Sequence, residues 1–329
     1  MEIRVLNAQE VRQALPMATA IEAMKEAYSQ LSSGQACVPL RSRIDVTQHD
    51  GITLFMPALL HSSNDMAVKI VSVFPHNLDK GLPTINAIVI ALDSETGQPI
   101  AVMEGASLTA IRTGAASGAA TDLLALPEAN SLAIFGSGAQ ARTQLEAVCT
   151  VRKIERVWVY SLDEPGAEVF VDEMAGHGPI PNDLKLVASP SEAIAEADVI
   201  CTATTSSTPV FNGAELKPGT HINAIGSFTP DMQEVDIETI LRSMVVVDSR
   251  EAVLAEAGDL IIPIDKGVIT AEWIHAELGE IINGAKSNRL DPNQITLFKS
   301  VGVAVQDAIA ASRALKGAEV ASLGQAIQI

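Results

Sequence analysis

In the run Ala133-Ile134-Phe135-Gly136-Ser137-Gly138-Ala139-Gln140-Ala141 a short apolar stretch breaks into glycines and then into a helical pattern. The spacing predicts a strand, a tight turn and a helix. Gly136 allows the turn, and Gly138 lets the backbone approach a pyrophosphate whose charge the N-terminal amides and dipole of the next helix stabilise. Ala141 takes the third small position. A turn that only packs a helix on a strand shares this G-x-G-x-x-A form, so the surrounding pattern decides between the two.

That pattern is βαβ. From Ser131 the sequence alternates a strand at 132–135, a helix from about Ala139, a strand at 156–160, a helix across 167–174, a strand at 185–187, a short helix and a strand at 198–202. Further strands are expected at 221–225, 244–247 and 295–298. Such alternation predicts a doubly wound parallel sheet of Rossmann type. Ser189-Pro190-Ser191-Glu192 has capping-box form with proline at the first helical position, which marks the start of the short helix. A helix rich in Ala, Gly, Ser and Thr is expected over 107–126, and a last helix over 302–315 returns the chain toward its first domain.

The N-terminal third reads differently. Pro16 to Ser33 carries Ile21, Met24, Tyr28 and Leu31 at helical spacing, with Gly34 as the stop. β-rich runs follow at 38–46, 52–56, 66–74, 84–92 and 98–103, joined by short connections that favour an antiparallel sheet. One face of that sheet needs cover and this part of the chain offers little beyond its helix, so a homodimer is expected. The fold class is therefore α/β, a Rossmann-type doubly wound parallel sheet plus an α+β dimerisation domain with a largely antiparallel sheet, to which the family resemblance described below adds substrate binding. Residues 1–115 and 303–329 are assigned to the α+β domain and 116–302 to the dinucleotide-binding domain.

Composition narrows the functions. The net charge of -18 and an aromatic content of 3% leave neither a basic stripe nor a stacking surface for nucleic acid. Cys37, Cys149 and Cys201 are far apart with no C-x-x-C pair, which fits a reducing compartment rather than a disulfide framework. The six histidines lack metal-ligand spacing, so no metal is expected. With neither a leader-like start nor an apolar run of spanning length, the expectation is a cytoplasmic protein with no membrane partner.

Cations inside the apolar pattern point to an anionic substrate. Arg41 and Arg43, two apart, would face one side of a strand, Lys69 interrupts Ala67-Val68-Lys69-Ile70-Val71, and Arg112 lies in the small-residue helix. Each alone reads equally as a solvated edge charge or a surface ion pair. Converging in one cleft they would make a carboxylate site, since Arg offers a planar fork and Lys a compact charge. After the second Rossmann strand, Tyr160-Ser161-Leu162-Asp163 lacks both the strand-end acid that favours NAD and the arginine that receives a 2′-phosphate. Ser161 is the discriminating position, and with Asp163 and Glu164 close by the reading leans to NADH over NADPH.

Over nearly its whole length the sequence resembles the ornithine cyclodeaminase/mu-crystallin family. The resemblance is carried by Met56-Pro57, Val68-Lys69, Gly81-Leu82-Pro83-Thr84, the run from Leu108 to Ser117, Ile134 to Gln140, the run from Pro218 to Gly226, Glu277-Leu278-Gly279-Glu280 and Phe298 to Gly302. It implies a homodimer whose sheet domain supplies the substrate site, a Rossmann domain for NADH or NADPH, and small α-amino, α-imino or α-keto acid substrates. Lys69 and Arg112 match the family's carboxylate-binding cations, with Lys69 the catalytic candidate and Arg41 or Arg43 the further cation. Thr84, Arg112, Thr113, Gly136, Ser137, Gly138, Ala139, Gln140, Ala224, Ile225, Gly226 and Ser300 correspond to positions around the cofactor.

Two departures from the family's cyclodeaminases are informative. Where those enzymes have an aspartate after Asn-Ala-x-Gly-Gly, this chain has Phe228, and Leu54 stands where they have a glutamate before Met-Pro. Making an imine from an amine and expelling ammonia needs positioned proton-transfer groups. Reducing a cyclic imine that is already electrophilic when protonated needs mainly a held carboxylate and an oriented C2. The expectation is thus reduction of Δ1-pyrroline-2-carboxylate or Δ1-piperideine-2-carboxylate to proline or pipecolate. The alternatives are an alanine-dehydrogenase-like reductive aminase, an ornithine cyclodeaminase using other groups, and a mu-crystallin-like ligand-binding protein.

Overall fold

A computed structural model describes all 329 residues, and the chain divides into two compact units, Met1–Arg112 with Ala304–Ile329, and Thr113–Val303. In the first unit the strands are β1 (Glu2–Leu6), β2 (Ala36–Cys37), β3 (Ser42–Val46), β4 (Gly51–Leu60), β5 (Asp65–Val73), β6 (Ile85–Asp93) and β7 (Pro99–Glu104). With the C-terminal strand Gln325–Gln328 they form one sheet in the order C-terminal strand, β1, β7, β6, β5, β4, β2, and β3 also pairs with β4. Every pairing is antiparallel except β1 with β7. Tight connections make this possible: Asn64 (φ 57) turns β4 into β5 and Gly97 (φ 73) turns β6 into β7, where Asp93 Oδ1 accepts from the Glu95 and Thr96 amides.

Alternation along these strands sends Met56, Ala58, Ala67, Lys69, Val89, Ala91, Ala101 and Met103 to one buried face. The helix Met17–Ser32 and the C-terminal helix Ala304–Val320 pack together, and the latter also packs on β4, β5 and β6. That face is therefore covered within the unit, more fully than the sequence led us to expect. Close packing follows from small residues: a Cβ on Gly317 would lie 2.0 Å from the Ala14 carbonyl oxygen.

Several features differ from the sequence expectation. β4 continues through Pro57 because β3 covers only its start and β2 only its end, so no strand on that side asks for the missing N–H. β1 and the C-terminal strand were not anticipated, since each is short and their pairing is long-range. In the second unit β14 (Ile274–Glu277) was also missed, having only Ile274 and Ala276 as its buried positions.

The second unit is a parallel sheet of β8 (Ser131–Phe135), β9 (Arg156–Tyr160), β10 (Leu184–Leu186), β11 (Val199–Thr202), β12 (His221–Ala224), β13 (Ser243–Val247), β14 and β15 (Ile295–Lys299). Its order is β10-β9-β8-β11-β12-β15-β13-β14, all neighbours parallel. The strand order reverses between β8 and β11, and in open parallel sheets ligands bind beyond the carboxyl ends at such a switch point. Ser189 caps its helix as the sequence suggests, its Oγ accepting from the Glu192 amide, but the Glu192 carboxylate reaches the Ala188 amide instead of closing the box on Ser189. No helix is long and apolar enough to cross a membrane.

Candidate active site

Lys69 and Arg112 meet inside the first unit. Lys69 Nζ lies 2.7 Å from Asp307 Oδ2, and Arg112 Nε donates to Asp307 Oδ1 at 3.1 Å. Arg112 Nη1 donates to Gln306 Oε1 at 2.7 Å, and Gln306 Nε2 in turn donates to the Tyr28 hydroxyl at 2.7 Å. Lys69 is 3%, Arg112 6% and Asp307 1% exposed, so this is no solvated edge or surface pair. Burial lowers the Lys69 pKa from its usual 10.5 to about 8; Asp307 opposes that shift, while Arg112 and Arg41 add to it. Lys69, Arg112 and Asp307 together carry one net positive charge, which a carboxylate ligand would cancel.

Asp307 and Gln306 escaped the sequence reading. Their signal was an amide and an acid side by side in the first two turns of the C-terminal helix, where residues 304–311 are otherwise Ala, Val and Ile and all buried. Such a pair persists in a core only if it is hydrogen-bonded or paired.

Arg41 and Arg43 are not strand partners. β3 starts at Ser42, so Arg41 precedes it, and the alternation argument that put both on one side does not apply. Arg41 is the one whose charge reaches Lys69. Arg43 is exposed and pairs with Asp45 at 2.7 Å, as an edge charge does. Thr84 leads into β6, its carbonyl oxygen accepting from the Phe74 amide at 2.8 Å. Leu54 lies opposite Val71, two cross-strand rows from Lys69 and its partner Met56 and on the same face.

In the second unit, Gly136 has φ +100, and a Cβ there would sit 2.7 Å from the Ala203 carbonyl oxygen beyond β11. Only glycine suits that turn. Gly138 is the N-cap of the helix Ala139–Val151 with no side chain on the helix amides, and a Cβ on it would meet nothing within 4 Å. The loop is held from behind by Arg142, whose Nη1 donates to the Ser137 and Gly138 carbonyl oxygens. Gln140 Oε1 is buried without a partner, and the Ser137 and Ser161 hydroxyls lie 3.2 Å apart. Open amides at a helix N-terminus and space over Gly138 fit a dinucleotide pyrophosphate. Asp163 caps the next helix, its Oδ1 accepting from the Gly166 amide at 3.2 Å. Thr113 accepts at its carbonyl oxygen from Gln144 Nε2, and Gly114 beside it admits the Thr143 carbonyl oxygen at 2.4 Å from where a Cβ would be.

At the carboxyl ends of β11, β12, β13 and β15 lies a second buried polar network. Glu234 Oε2 accepts from the Thr202 hydroxyl (2.8 Å) and the Gly226 and Ser227 amides (2.7 and 3.2 Å), and its Oε1 from the amide and hydroxyl of Thr204 (2.7 and 2.8 Å). Burial raises the Glu234 pKa, although Lys299 opposes it. Asp259 accepts from the Glu234 and Val235 amides and pairs with Lys299 at 2.8 Å, both side chains fully buried. Gly226 is required by packing, since a Cβ would lie 2.2 Å from the Thr204 carbonyl oxygen. Ala224 and Ile225 precede it, and the Ile225 amide donates to the Thr202 carbonyl oxygen. Ser300 donates to Asp248 Oδ2 at 2.7 Å, so its hydroxyl satisfies the turn after β15. Phe228, on the loop after Ser227, is 46% exposed.

The model of the ornithine cyclodeaminase/mu-crystallin family matches residues 1–317. A Δ1-pyrroline-2-carboxylate reductase of Bacillus cereus is 41% identical over 328 residues, 98% of this chain and 99% of that protein. The structure of Thermococcus litoralis Δ1-pyrroline-2-carboxylate reductase in complex with NADH and L-proline superposes with a TM-score of 0.93 at 44% identity, covering 99% of this chain and 100% of the other. An archaeal alanine dehydrogenase dimer with bound NAD superposes with a TM-score of 0.91 at 35% identity, covering 100% of each chain.

Proposed function

The chain belongs to the ornithine cyclodeaminase/mu-crystallin family, and from that premise we propose that it reduces a cyclic α-imino acid, Δ1-pyrroline-2-carboxylate or Δ1-piperideine-2-carboxylate, to L-proline or L-pipecolate. The observation that carries this reading is the buried Lys69–Asp307–Arg112 cluster, a preformed site for one carboxylate. Sequence and structural similarity to pyrroline-2-carboxylate reductases over the full chain supports it. Lys69 has protons beyond the one facing Asp307, and Arg112 has Nη2, so a substrate carboxylate can be gripped without displacing the acid. The charge balance then leaves a protonated imine unrepelled. A reduced nicotinamide cofactor would supply the hydride for C2.

Gly136, Gly138 and the amides that follow are the residues that would hold the pyrophosphate. With no cation after β9 and Ser161 in the discriminating place, NADH is the preferred donor and NADPH is tolerated. Phe228 and Leu54, neither of which can carry a proton, favour reduction over cyclodeamination. Purified protein should oxidise NADH, faster than NADPH, with pyrroline-2-carboxylate, and should form no proline from L-ornithine and NAD. Proline from ornithine but not from the imine would reverse the assignment. The alanine dehydrogenase similarity makes pyruvate with ammonia the second substrate pair to assay, and faster turnover there would favour a reductive aminase.

A homodimer is part of this reading. The sheet face opposite Lys69 carries two cross-strand rows, Phe55-Ile70-Ile88 and Pro57-Val68-Ile90-Val102, and Ile88 is 42% exposed. Apolar rows of this kind mark an interface. The expected molar mass in light scattering is twice the 34.6 kDa of one chain, and Ile88→Asp should lower it toward one. A monomeric wild-type protein would contradict this.

A further inference from the structure

The acid in the anion site invites a question that the carboxylate reading leaves open. Asp307 faces both cations, and an anion so placed competes with the ligand they are meant to hold. Removing it would make the site more positive, yet the structure spends a buried helix position on it. We propose that Asp307 is a positioning residue that keeps Lys69 protonated and aims the Arg112 fork, and so sets the pH above which the site lets go of a carboxylate. This rests on the anion-site reading above.

The geometry supports both halves. Asp307 Oδ2 is 2.7 Å from Lys69 Nζ while Oδ1 takes the Nε edge of Arg112, so one carboxylate spans the two cations and fixes their separation. Gln306, one residue earlier on the same helix and anchored on Tyr28, takes Nη1 and leaves the Nη2 arm as the part of the fork that a ligand can use. The charged groups around Lys69 are Asp307 from the C-terminal helix, Arg112 from the helix Gly105–Leu124 and Arg41 from the segment before β3. Two of the three are cations that push the lysine toward neutrality, as burial does. Asp307 alone opposes them. A lysine near pKa 8 holds its charge at neutral pH and loses it above, whereas without Asp307 it would lose it lower.

The test uses a ligand that does not itself titrate. Pyrrole-2-carboxylate is a planar five-membered carboxylate whose charge is constant from about pH 6 to pH 10. Its dissociation constant is measured calorimetrically on the full-length protein with saturating NADH across that range, for wild type, Asp307→Asn and Lys69→Arg. In wild type the constant should be flat up to about pH 8 and then rise about tenfold per unit, because only the protonated lysine binds. For Asp307→Asn the break should move down by about one unit or more, with binding at pH 6 as tight as wild type or tighter, since a competing anion has gone. Lys69→Arg should show no break. If Asp307→Asn does not fold, as judged by its melting temperature and NADH affinity, Asp307→Ser should give the same shift. An unchanged break, or an equal loss at every pH, overturns the role given to Asp307. No binding to wild type at any pH overturns the anion-site reading on which it rests.

Discussion

Replacing Lys69 by alanine is expected to lower kcat/KM for a cyclic imino acid by about two orders of magnitude or more, while the KM for NADH stays within about twofold. Truncating one partner of a buried, charge-assisted contact costs about 2 to 5 kcal/mol, and each 1.4 kcal/mol is about tenfold. The site is unusually suited to this test. Asp307 retains Arg112 at 3.1 Å after the change, so the variant is not left with an orphaned charge, and the loss reports ligand binding rather than unfolding. Steady-state kinetics with each substrate varied in turn separates the two constants. Near-normal imine reduction by Lys69→Ala would remove Lys69 from the site.

The second large effect concerns stability. Lys299→Met should lower the unfolding free energy by about 3 to 5 kcal/mol, measured in urea, because it leaves an unpaired charge where water does not reach. Lys299 and Asp259 are both fully buried at 2.8 Å, and the methionine side chain matches the lysine stem in length but carries no charge. Glu234 adds to the cost. It is fully buried, its pKa is already raised by burial, and Lys299 is the group that opposes that rise. Because Glu234 gathers the amides of Thr204, Gly226 and Ser227, the same substitution should loosen the loops beyond β11 and β12 and raise the KM for NADH. A Lys299→Met protein as stable as wild type would mean that the pair contributes nothing net.

The parts of this molecule that were legible in the sequence are those written in local periodicity. The Gly136 turn, the alternation from β8 to β11 and the antiparallel run from β4 to β7 depend on residues within one or two elements of each other, and apolar spacing and turn residues announce them. β1, β14 and the C-terminal strand are short segments whose strand character comes from distant partners. The site divides the same way. Lys69 and Arg112 stand out as cations in apolar runs, whereas Asp307 matters only because the C-terminal helix packs across β5, a contact 238 residues long in sequence that no spacing rule reports. Arg41 and Arg43 show the limit of alternation arguments. They are two apart, but the strand begins between them, and only Arg41 acts on Lys69.

Lys69 and Arg112 are expected to hold a cyclic imino acid so that its C2 accepts a hydride. The test uses NADH carrying deuterium at both C4 positions of the nicotinamide with Δ1-pyrroline-2-carboxylate, and the product is read by mass spectrometry and proton NMR. The expected product is L-proline carrying one deuterium at Cα, formed in step with NADH oxidation. Oxidation of the cofactor without labelled proline, or no oxidation with any cyclic imine, would contradict it.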